Sequence, residues 1–180
     1  MQVRENLYVI VEKHPYSGSL NPKLLFDLKK FDYTEAESYH KPTNVRAIQR
    51  SIGYSERTKS MNILLDWIFQ VLDKNNNVSF TKGAYEHNGK PTANIWAARY
   101  NKDQYTLSHG HYPFALYGFV YFLKSPKGAS PLVLTTRGKK IKPEEGSVVI
   151  FPANLYHHVP KNKCEDRVVI AGNIGYDLNT

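Results

Sequence analysis

The spacing of apolar residues divides the chain at about residue 78 into a helical part and a strand-rich part. Within residues 57–73, apolar side chains recur at intervals of three and four, which predicts one amphipathic helix. The residues that form its apolar face are Met61, Leu64, Leu65, Ile68 and Leu72. Aromatic and branched neighbours widen this face, so we expect the helix to pack against a sheet.

Other segments of the first part give shorter patterns. Residues 7–12 are rich in apolar and β-branched side chains and predict a strand. Residues 21–31 predict a short helix, with Asn21 as its N-cap and Pro22 at the first helical position. Residues 32–55 are polar and irregular, and we interpret them as a candidate lid or an extension that wraps the core.

After residue 78 the pattern changes to short runs of Val, Ile, Tyr, Phe and Thr, separated by Gly, Pro and Asn. These runs predict strands at 78–86, 93–100, 104–109, 116–124, 131–136, 147–151, 155–159 and 167–174. Helices followed by many short strands favour an α+β fold, here a jelly roll (a double-stranded β-helix, as in cupins) backed by N-terminal helices. We expect residues 1–180 to form a single domain, with 1–77 as an N-terminal extension and 78–180 as the jelly-roll core.

Composition narrows the class of protein. Apolar residues make up 41% of the 180 residues and charged residues 22%, which is typical of a folded chain. The sequence has no apolar run of membrane-spanning length, so no membrane partner is expected. Cys164 is the one cysteine, which excludes an intrachain disulfide framework and favours a reducing, cytoplasmic setting. The formal net charge of +8 is compatible with nucleic acid or another anionic partner, although the basic residues are scattered.

Four of the seven histidines fall in two short motifs of the strand-rich part, SHGH at 108–111 and YHHV at 156–159. Because alternate residues of a strand face the same side, His109 and His111 are expected to project together. Either His157 or His158 can join them from another strand, but not both, since adjacent residues face opposite sides. Three imidazoles arranged in this way could hold one metal ion and leave open positions, as in non-haem iron sites.

Several segments between Trp96 and Ile174 also stand in the order and spacing of a known family. They are WAARY at 96–100, HGH at 109–111, YGFVYFLK at 117–124, PLVL at 131–134, KPEEGSVVIFP at 142–152, FPANLYHHV at 151–159 and DRVVIAGN at 166–173. On these residues the chain resembles the 2-oxoglutarate/Fe(II)-dependent dioxygenases, in particular the short prolyl-hydroxylase-like branch seen in bacteria and phages. The resemblance covers somewhat under half of the chain, and residues 1–77 match no family.

The resemblance implies a metal site of three histidines. His109 matches the proximal ligand and His157, rather than His158, the distal one. His111 stands where most of the superfamily has Asp or Glu. If His111 is not a ligand, a more distant acid such as Asp103, or water, would complete the site.

The resemblance also implies a binding site for 2-oxoglutarate. Arg167, ten residues after His157, matches the residue that binds the far carboxylate of this co-substrate, a role that suits the planar guanidinium. Tyr100 and Tyr121 are candidates for further contacts with the co-substrate. Asn173 lies six residues after Arg167 in the same predicted strand, so it should face the same side and line the pocket.

The function implied is that of a hydroxylase that uses Fe(II) and 2-oxoglutarate, with ascorbate as reductant. By analogy, its substrate would be a prolyl residue in a peptide or protein, although a small molecule is also open. For a viral protein, the setting would be the host cytoplasm. Two other hypotheses remain open on the sequence: a basic jelly-roll module that binds without catalysis, and a cupin-type dioxygenase with three histidines that does not use 2-oxoglutarate.

Overall fold

The computed structural model describes residues 9–31, 34–35, 44–76, 86–87, 90–91 and 93–175. Its helices are α1 (Ser17–Leu28) and α2 (Lys59–Asn76). Its strands are β1 (Ile10–Lys13), β2 (Thr34–Glu35), β3 (Val45–Arg46), β4 (Ile48–Ile52), β5 (Glu86–His87), β6 (Lys90–Pro91), β7 (Ala93–Tyr100), β8 (Tyr105–His109), β9 (Tyr117–Lys124), β10 (Leu132–Leu134), β11 (Lys139–Ile141), β12 (Ser147–Pro152), β13 (His157–Val159) and β14 (Arg167–Ile174). Short 3-10 turns occupy Tyr54–Glu56 and Thr135–Arg137.

Most strands belong to two antiparallel sheets. The large sheet has the order β1-β12-β9-β14-β7-β4-β2, and the small sheet has the order β11-β10-β13-β8-β3. From β7 to β14 the chain passes repeatedly from one sheet to the other, which is the winding of a jelly roll. The predicted α+β jelly roll backed by helices is therefore confirmed.

Strands from the first part of the chain extend both sheets. Strand β1 pairs with β12, β4 pairs with β7, and β3 pairs with β8. The candidate lid thus contributes β2, β3 and β4, while residues 32–33 and 36–43 lie outside the described residues. Most of the predicted strand at 78–86 also lies outside them, and the domain boundary near residue 78 stays a prediction.

The large sheet is covered on both faces. One face packs on the helices, through apolar side chains of α2 such as Met61, Leu64 and Ile68. The other face packs on the small sheet, where Tyr100, Phe122 and Phe151 are buried. Six consecutive residues of β9 are buried, because a strand covered on both faces needs apolar side chains on both sides. The functional site lies in the second of these two cores.

The two helices differ in how well the sequence predicts them. Helix α2 has the expected apolar face, and the backbone N–H of Met61 donates to the side chain of Thr58, which caps the helix. Helix α1 begins at Ser17, so the prediction of Asn21 as its N-cap is wrong. Asn21 lies inside the helix, where it donates to the carbonyl of Leu123 and accepts a hydrogen bond from Tyr121. These contacts with β9 outweigh the local capping preference.

Within the part of the chain that the structure describes, no helix has both the length and the apolar character needed to span a bilayer.

Candidate metal centre

Three histidines from two separate segments converge at one end of the space between the sheets. One ring nitrogen from each of His109, His111 and His157 lies within 4.8 Å of the corresponding nitrogens of the other two. The ring centroids are 5.0 Å apart for His109–His111, 4.4 Å for His109–His157 and 5.1 Å for His111–His157. His109 is the last residue of β8 and His157 the first of β13, and the two are directly paired in register.

His111 reaches the cluster from a turn and not from the strand. Strand β8 ends at His109, and the backbone N–H of His111 donates to the carbonyl of Ala153 at 2.7 Å. A Cβ on Gly118 would come within 3.3 Å of Cδ2 of His111 and within 2.7 Å of the ring of Phe151. The absence of a side chain at Gly118 therefore makes room for the His111 ring.

Main-chain carbonyls fix the tautomers of two of the histidines. Nδ1 of His109 lies 2.8 Å from the carbonyl oxygen of Leu107, and Nδ1 of His157 lies 3.1 Å from that of Leu155. Because a carbonyl can only accept, each Nδ1 carries the proton and donates it. Nε2 of each ring is left with a free lone pair, which is the form that binds a metal.

The three imidazoles are also held neutral. Burial, with a smaller effect of the neighbouring histidines, lowers the pKa of His157 to about 3 and that of His111 to about 4. Burial lowers the pKa of His109 too, against a smaller opposite effect of its bond to Leu107. At neutral pH no proton competes for the ligand atoms, so the cluster fits a divalent cation that accepts nitrogen ligands.

The other candidates for ligands lie elsewhere. Nδ1 of His158 is 3.1 Å from the hydroxyl of Thr135, and its side chain lies on the face of β13 opposite to His157. Asp103 is an exposed residue of the turn between β7 and β8, with a φ of 66°, and it does not line the cavity. Among the described residues, no other group of three His, Cys, Asp or Glu side chains comes together in this way.

A cavity leads from the three histidines into the core between the sheets. Apolar side chains form most of its wall, and no Asp or Glu is among the described residues that line it. Its lining includes Trp96, Thr106, Phe151, Val169 and Arg167.

Arg167 is the unusual member of the cavity wall. Its side chain is 0% exposed, and no described residue accepts a hydrogen bond in good geometry from any of its three guanidinium nitrogens. The guanidinium carbon lies 4.7 Å from the centre of the Tyr100 ring and 5.8 Å from that of Phe122. Burial lowers the pKa of Arg167, which the nearby Tyr100 partly offsets.

The acids next to Arg167 in sequence do not neutralise it. Asp166 forms ion pairs with Arg99 and with Lys124, and Glu165 is exposed. A buried cation without a carboxylate is costly unless a ligand supplies one. The position of Arg167 therefore fits an anionic ligand that enters the cavity.

The remaining predicted residues lie at different distances from this cavity. Tyr100 is part of its wall, and its hydroxyl is 2.7 Å from that of Thr106. Tyr121 lies on the opposite face of the large sheet, where it packs in the core with the helices and bonds to Asn21. Asn173 lies on the same face of β14 as Arg167 but at the other end of the strand, beyond the lining residue Ala171.

Sequence reasoning missed three contributors to the site. Thr106 pairs with Tyr100 beside Arg167, and Gly118 accommodates His111. The carbonyls of Leu107 and Leu155 orient two rings. The sequence holds no signal for the last feature, because every residue carries a main-chain carbonyl.

Comparison with known proteins gives similarity of structure but not of sequence. No family model and no curated protein matches the chain. A viral collagen prolyl hydroxylase from Paramecium bursaria Chlorella virus 1, solved with 2-oxoglutarate, matches with a TM-score of 0.68 and 16% identity over 96% of this chain and 98% of that one. A prolyl-4-hydroxylase from Pseudomonas putida matches with a TM-score of 0.73 and 14% identity, over 96% of this chain and 94% of the other.

A third match is a prolyl hydroxylase from Trichoplax adhaerens, solved with a peptide fragment of the oxygen degradation domain of hypoxia inducible factor. Its TM-score is 0.67 and its identity 14%, over 93% of this chain and 83% of that one. The chain thus has the jelly-roll fold of prolyl hydroxylases and other 2-oxoglutarate/Fe(II) oxygenases, as the resemblance implied. At these identities the similarity establishes the fold, and the activity has to be argued from the site.

Proposed function

We propose that this protein is a 2-oxoglutarate- and Fe(II)-dependent oxygenase. The observation that carries the proposal is that one cavity contains both a cluster of three neutral imidazoles and a buried guanidinium without a counter-ion. A metal ligand set alone would fit many enzymes. A buried cation in the same cavity favours a co-substrate with a carboxylate at its far end.

His109, His111 and His157 are the proposed iron ligands. The Nε2 atoms of His109 and His157 are free to bind, because their Nδ1 atoms donate to main-chain carbonyls. Bound Fe(II), together with 2-oxoglutarate and O₂, would supply the oxidising chemistry that inserts a hydroxyl group into a C–H bond. With three neutral ligands, the protein would cancel none of the charge of the cation, whereas a carboxylate at position 111 would cancel one unit.

Arg167 is the proposed anchor for the far carboxylate of 2-oxoglutarate. Its planar guanidinium can donate two parallel hydrogen bonds to one carboxylate, and burial strengthens such a pair. The Tyr100 ring lies against this guanidinium, with its centre 4.7 Å from the guanidinium carbon. The paired hydroxyls of Tyr100 and Thr106 offer an additional donor in the same wall of the cavity.

The apolar wall would exclude water from the reacting groups. Trp96, Phe151 and Val169 line the cavity, and Phe151 also packs 4.5 Å from the His157 ring, measured between ring centroids. A dry site limits side reactions and strengthens the electrostatic attraction between Arg167 and its ligand. The residue class of the substrate, which the resemblance gives as prolyl, stays a prediction.

The test is formation of succinate from 2-oxoglutarate by the purified protein with Fe(II) and ascorbate, including turnover without a substrate. We expect wild-type protein and His158→Ala to form succinate, and His157→Ala and Arg167→Gln to lose this activity. Absence of turnover, together with absence of any metal-dependent binding of 2-oxoglutarate, would contradict the proposal.

The second candidate function is that of a cupin-type dioxygenase with three histidines, and the three-histidine ligand set supports it. Such an enzyme would use the metal but would have no need for 2-oxoglutarate. The visible absorption spectrum of the Co(II) protein separates the two candidates. A change on addition of 2-oxoglutarate that Arg167→Gln abolishes favours the first, and an unchanged spectrum favours the second.

A further inference from the structure

Three large aromatic side chains are exposed around the two loops that carry the histidines. Tyr112 is 75% exposed, Phe114 65% and Tyr156 56%. Tyr112 and Phe114 follow His111 in the chain, and Tyr156 precedes His157. We call these three residues the aromatic rim. Apolar rings that remain in water next to a cavity commonly mark a surface that binds a partner.

The loops hold the rim beside the mouth of the cavity. The backbone N–H groups of His111 and Tyr112 both donate to the carbonyl of Ala153, which ties the two loops together. A Cβ on Gly110 would lie 3.4 Å from the ring of Tyr156, so this ring covers the segment between His109 and His111. The rim residues therefore lie on the same two segments that hold the three histidines.

The chain as a whole is basic, with a formal net charge of +8, and its acidic residues between positions 104 and 164 are Glu144 and Glu145. Glu144 binds Lys13, and both acids precede β12, whose opposite end (Pro152) adjoins the rim. A strand of that length spans about 20 Å, so the two carboxylates lie far from the mouth.

Two exposed lysines lie in an edge strand of the small sheet. Lys139 and Lys140 are exposed residues of β11. Lys139 pairs with Leu134, and Leu134 pairs with His157, so Lys139 is two strands from the metal cluster. At the usual spacing of strands this separates the two backbones by about 10 Å.

We propose that the aromatic rim, with Lys139 and Lys140, binds single-stranded nucleic acid. Exposed aromatic rings stack on bases of any sequence, and lysines beside them attract the phosphates. His157 is 5% exposed, so a base can reach it only when it is not held in a duplex. This inference goes beyond the proposed function and departs from the peptide substrate that the resemblance favours. It is tested separately, because docking of the strand requires none of the three histidines.

The experiment measures fluorescence anisotropy of a labelled oligo(dT) of about 20 nucleotides with the full-length protein. We expect saturable binding with a Kd on the order of 10⁻⁶–10⁻⁴ M near physiological salt, and weaker binding of a matched duplex. The double variant Phe114→Ala/Tyr156→Ala should weaken binding about tenfold or more. Lys139→Ala/Lys140→Ala should lower the salt slope by about two.

Matched variants on the far side of the molecule serve as controls. Phe26 is a 63% exposed aromatic of α1, Lys23 is an exposed lysine of the same helix, and Lys29 is the exposed lysine that directly follows it. Phe26→Ala and Lys23→Ala/Lys29→Ala should leave the Kd within about twofold. His157→Ala should bind oligo(dT) like wild type.

Three results would overturn the proposal. They are the absence of saturable binding of oligo(dT), an equal loss of affinity in the α1 control variants, and binding of a polyproline peptide to the rim in place of the oligonucleotide. Thermal melts verify that each variant is folded. If the aromatic double variant is unfolded, the single variant Phe114→Ala and the lysine pair still decide the outcome.

Discussion

His109 and His157 face each other across the β8–β13 pair, with ring centroids 4.4 Å apart. The two residues are 48 positions apart in the sequence, yet the register of two short strands sets their separation. His111 joins them from a turn that is bonded to Ala153. The pairing of two strands, with this turn, therefore positions the three rings. Substitution of a single ring should change metal binding strongly while it leaves the fold intact.

The first prediction concerns the choice between the adjacent histidines 157 and 158. His157→Ala removes a ring that points into the cluster, so affinity for Co(II) or Zn(II) should fall by roughly 100-fold or more. His158→Ala is the matched control, because its ring bonds to Thr135 on the other face. Isothermal titration calorimetry measures both. Equal losses in the two variants would mean that the metal is held elsewhere.

The second prediction separates the stability role of Arg167 from its binding role. Arg167→Met replaces an unpaired buried cation with an apolar side chain, so the free energy of unfolding of the ligand-free protein should rise by about 1–3 kcal/mol. The variant should lose stabilisation by 2-oxoglutarate, which for wild type amounts to about 2.7 kcal/mol at 100 times Kd.

Denaturant unfolding with Co(II), with and without 2-oxoglutarate, measures both effects of Arg167→Met. The control is Lys29→Met, which changes an exposed cation that directly follows α1 and should keep the full response to 2-oxoglutarate. A large loss of stability in ligand-free Arg167→Met would show that the guanidinium is a structural group and not a binding group.

The third prediction concerns the two glycines near the cluster. Gly118→Ala would place its Cβ 2.7 Å from the Phe151 ring and 3.3 Å from His111, so both rings must shift. Overpacking of this kind costs about 1–3 kcal/mol, and metal affinity should fall with it. Gly110→Ala meets its nearest atoms at 3.4 Å, an ordinary contact, and should bind metal nearly as wild type does. Thermal melts and metal titrations of the two variants test this contrast. A weaker metal affinity in Gly110→Ala than in Gly118→Ala would contradict it.

The fourth prediction concerns pH. Burial lowers the pKa of His14 below its usual value of 6.5, as it does for the three clustered histidines. Below pH 6.5 the unfolded chain therefore binds protons that the folded chain does not, so the metal-free protein should lose stability as pH falls. Each such proton contributes a slope of up to about 1.4 kcal/mol per pH unit.

The variant His14→Phe isolates one of these contributions outside the metal site. His14 is buried beside Trp67, with ring centroids 4.7 Å apart, and a Phe ring can occupy the same place. Between pH 6.5 and 5, denaturant unfolding should show a shallower slope for His14→Phe than for wild type. Identical slopes would mean that His14 takes up a proton as readily in the folded protein as in the unfolded chain.

The sequence predicts the jelly-roll strands well because their alternation and turn residues are local signals. The predicted strands at 93–100 and 167–174 coincide with β7 and β14. The sequence predicts long-range tertiary contacts less well. Asn21 is a good N-cap by composition, but its contacts with Leu123 and Tyr121 place it inside α1. Such contacts join residues about 100 positions apart and leave no local trace.

The sequence also could not predict the register in which neighbouring strands pair. Tyr100 and Tyr121 both lie in apolar strands, yet Tyr100 pairs with Arg167 in register and Tyr121 pairs with Ile170. Since alternate residues of β14 face opposite sides, only Tyr100 shares the face of Arg167. His109, His111, His157 and Arg167 line one cavity, and the residue roles assigned to them remain for the experiments above to test.

The bonds from His109 to Leu107 and from His157 to Leu155 use acceptors of the main chain. Every amino acid carries that carbonyl, so substitution at position 107 or 155 leaves the acceptor in place. The side chains at these two positions can then change while Nδ1 of each ring stays bonded and Nε2 keeps facing inward. A centre oriented in this manner is tolerant of sequence divergence, provided that the two strands keep their alignment.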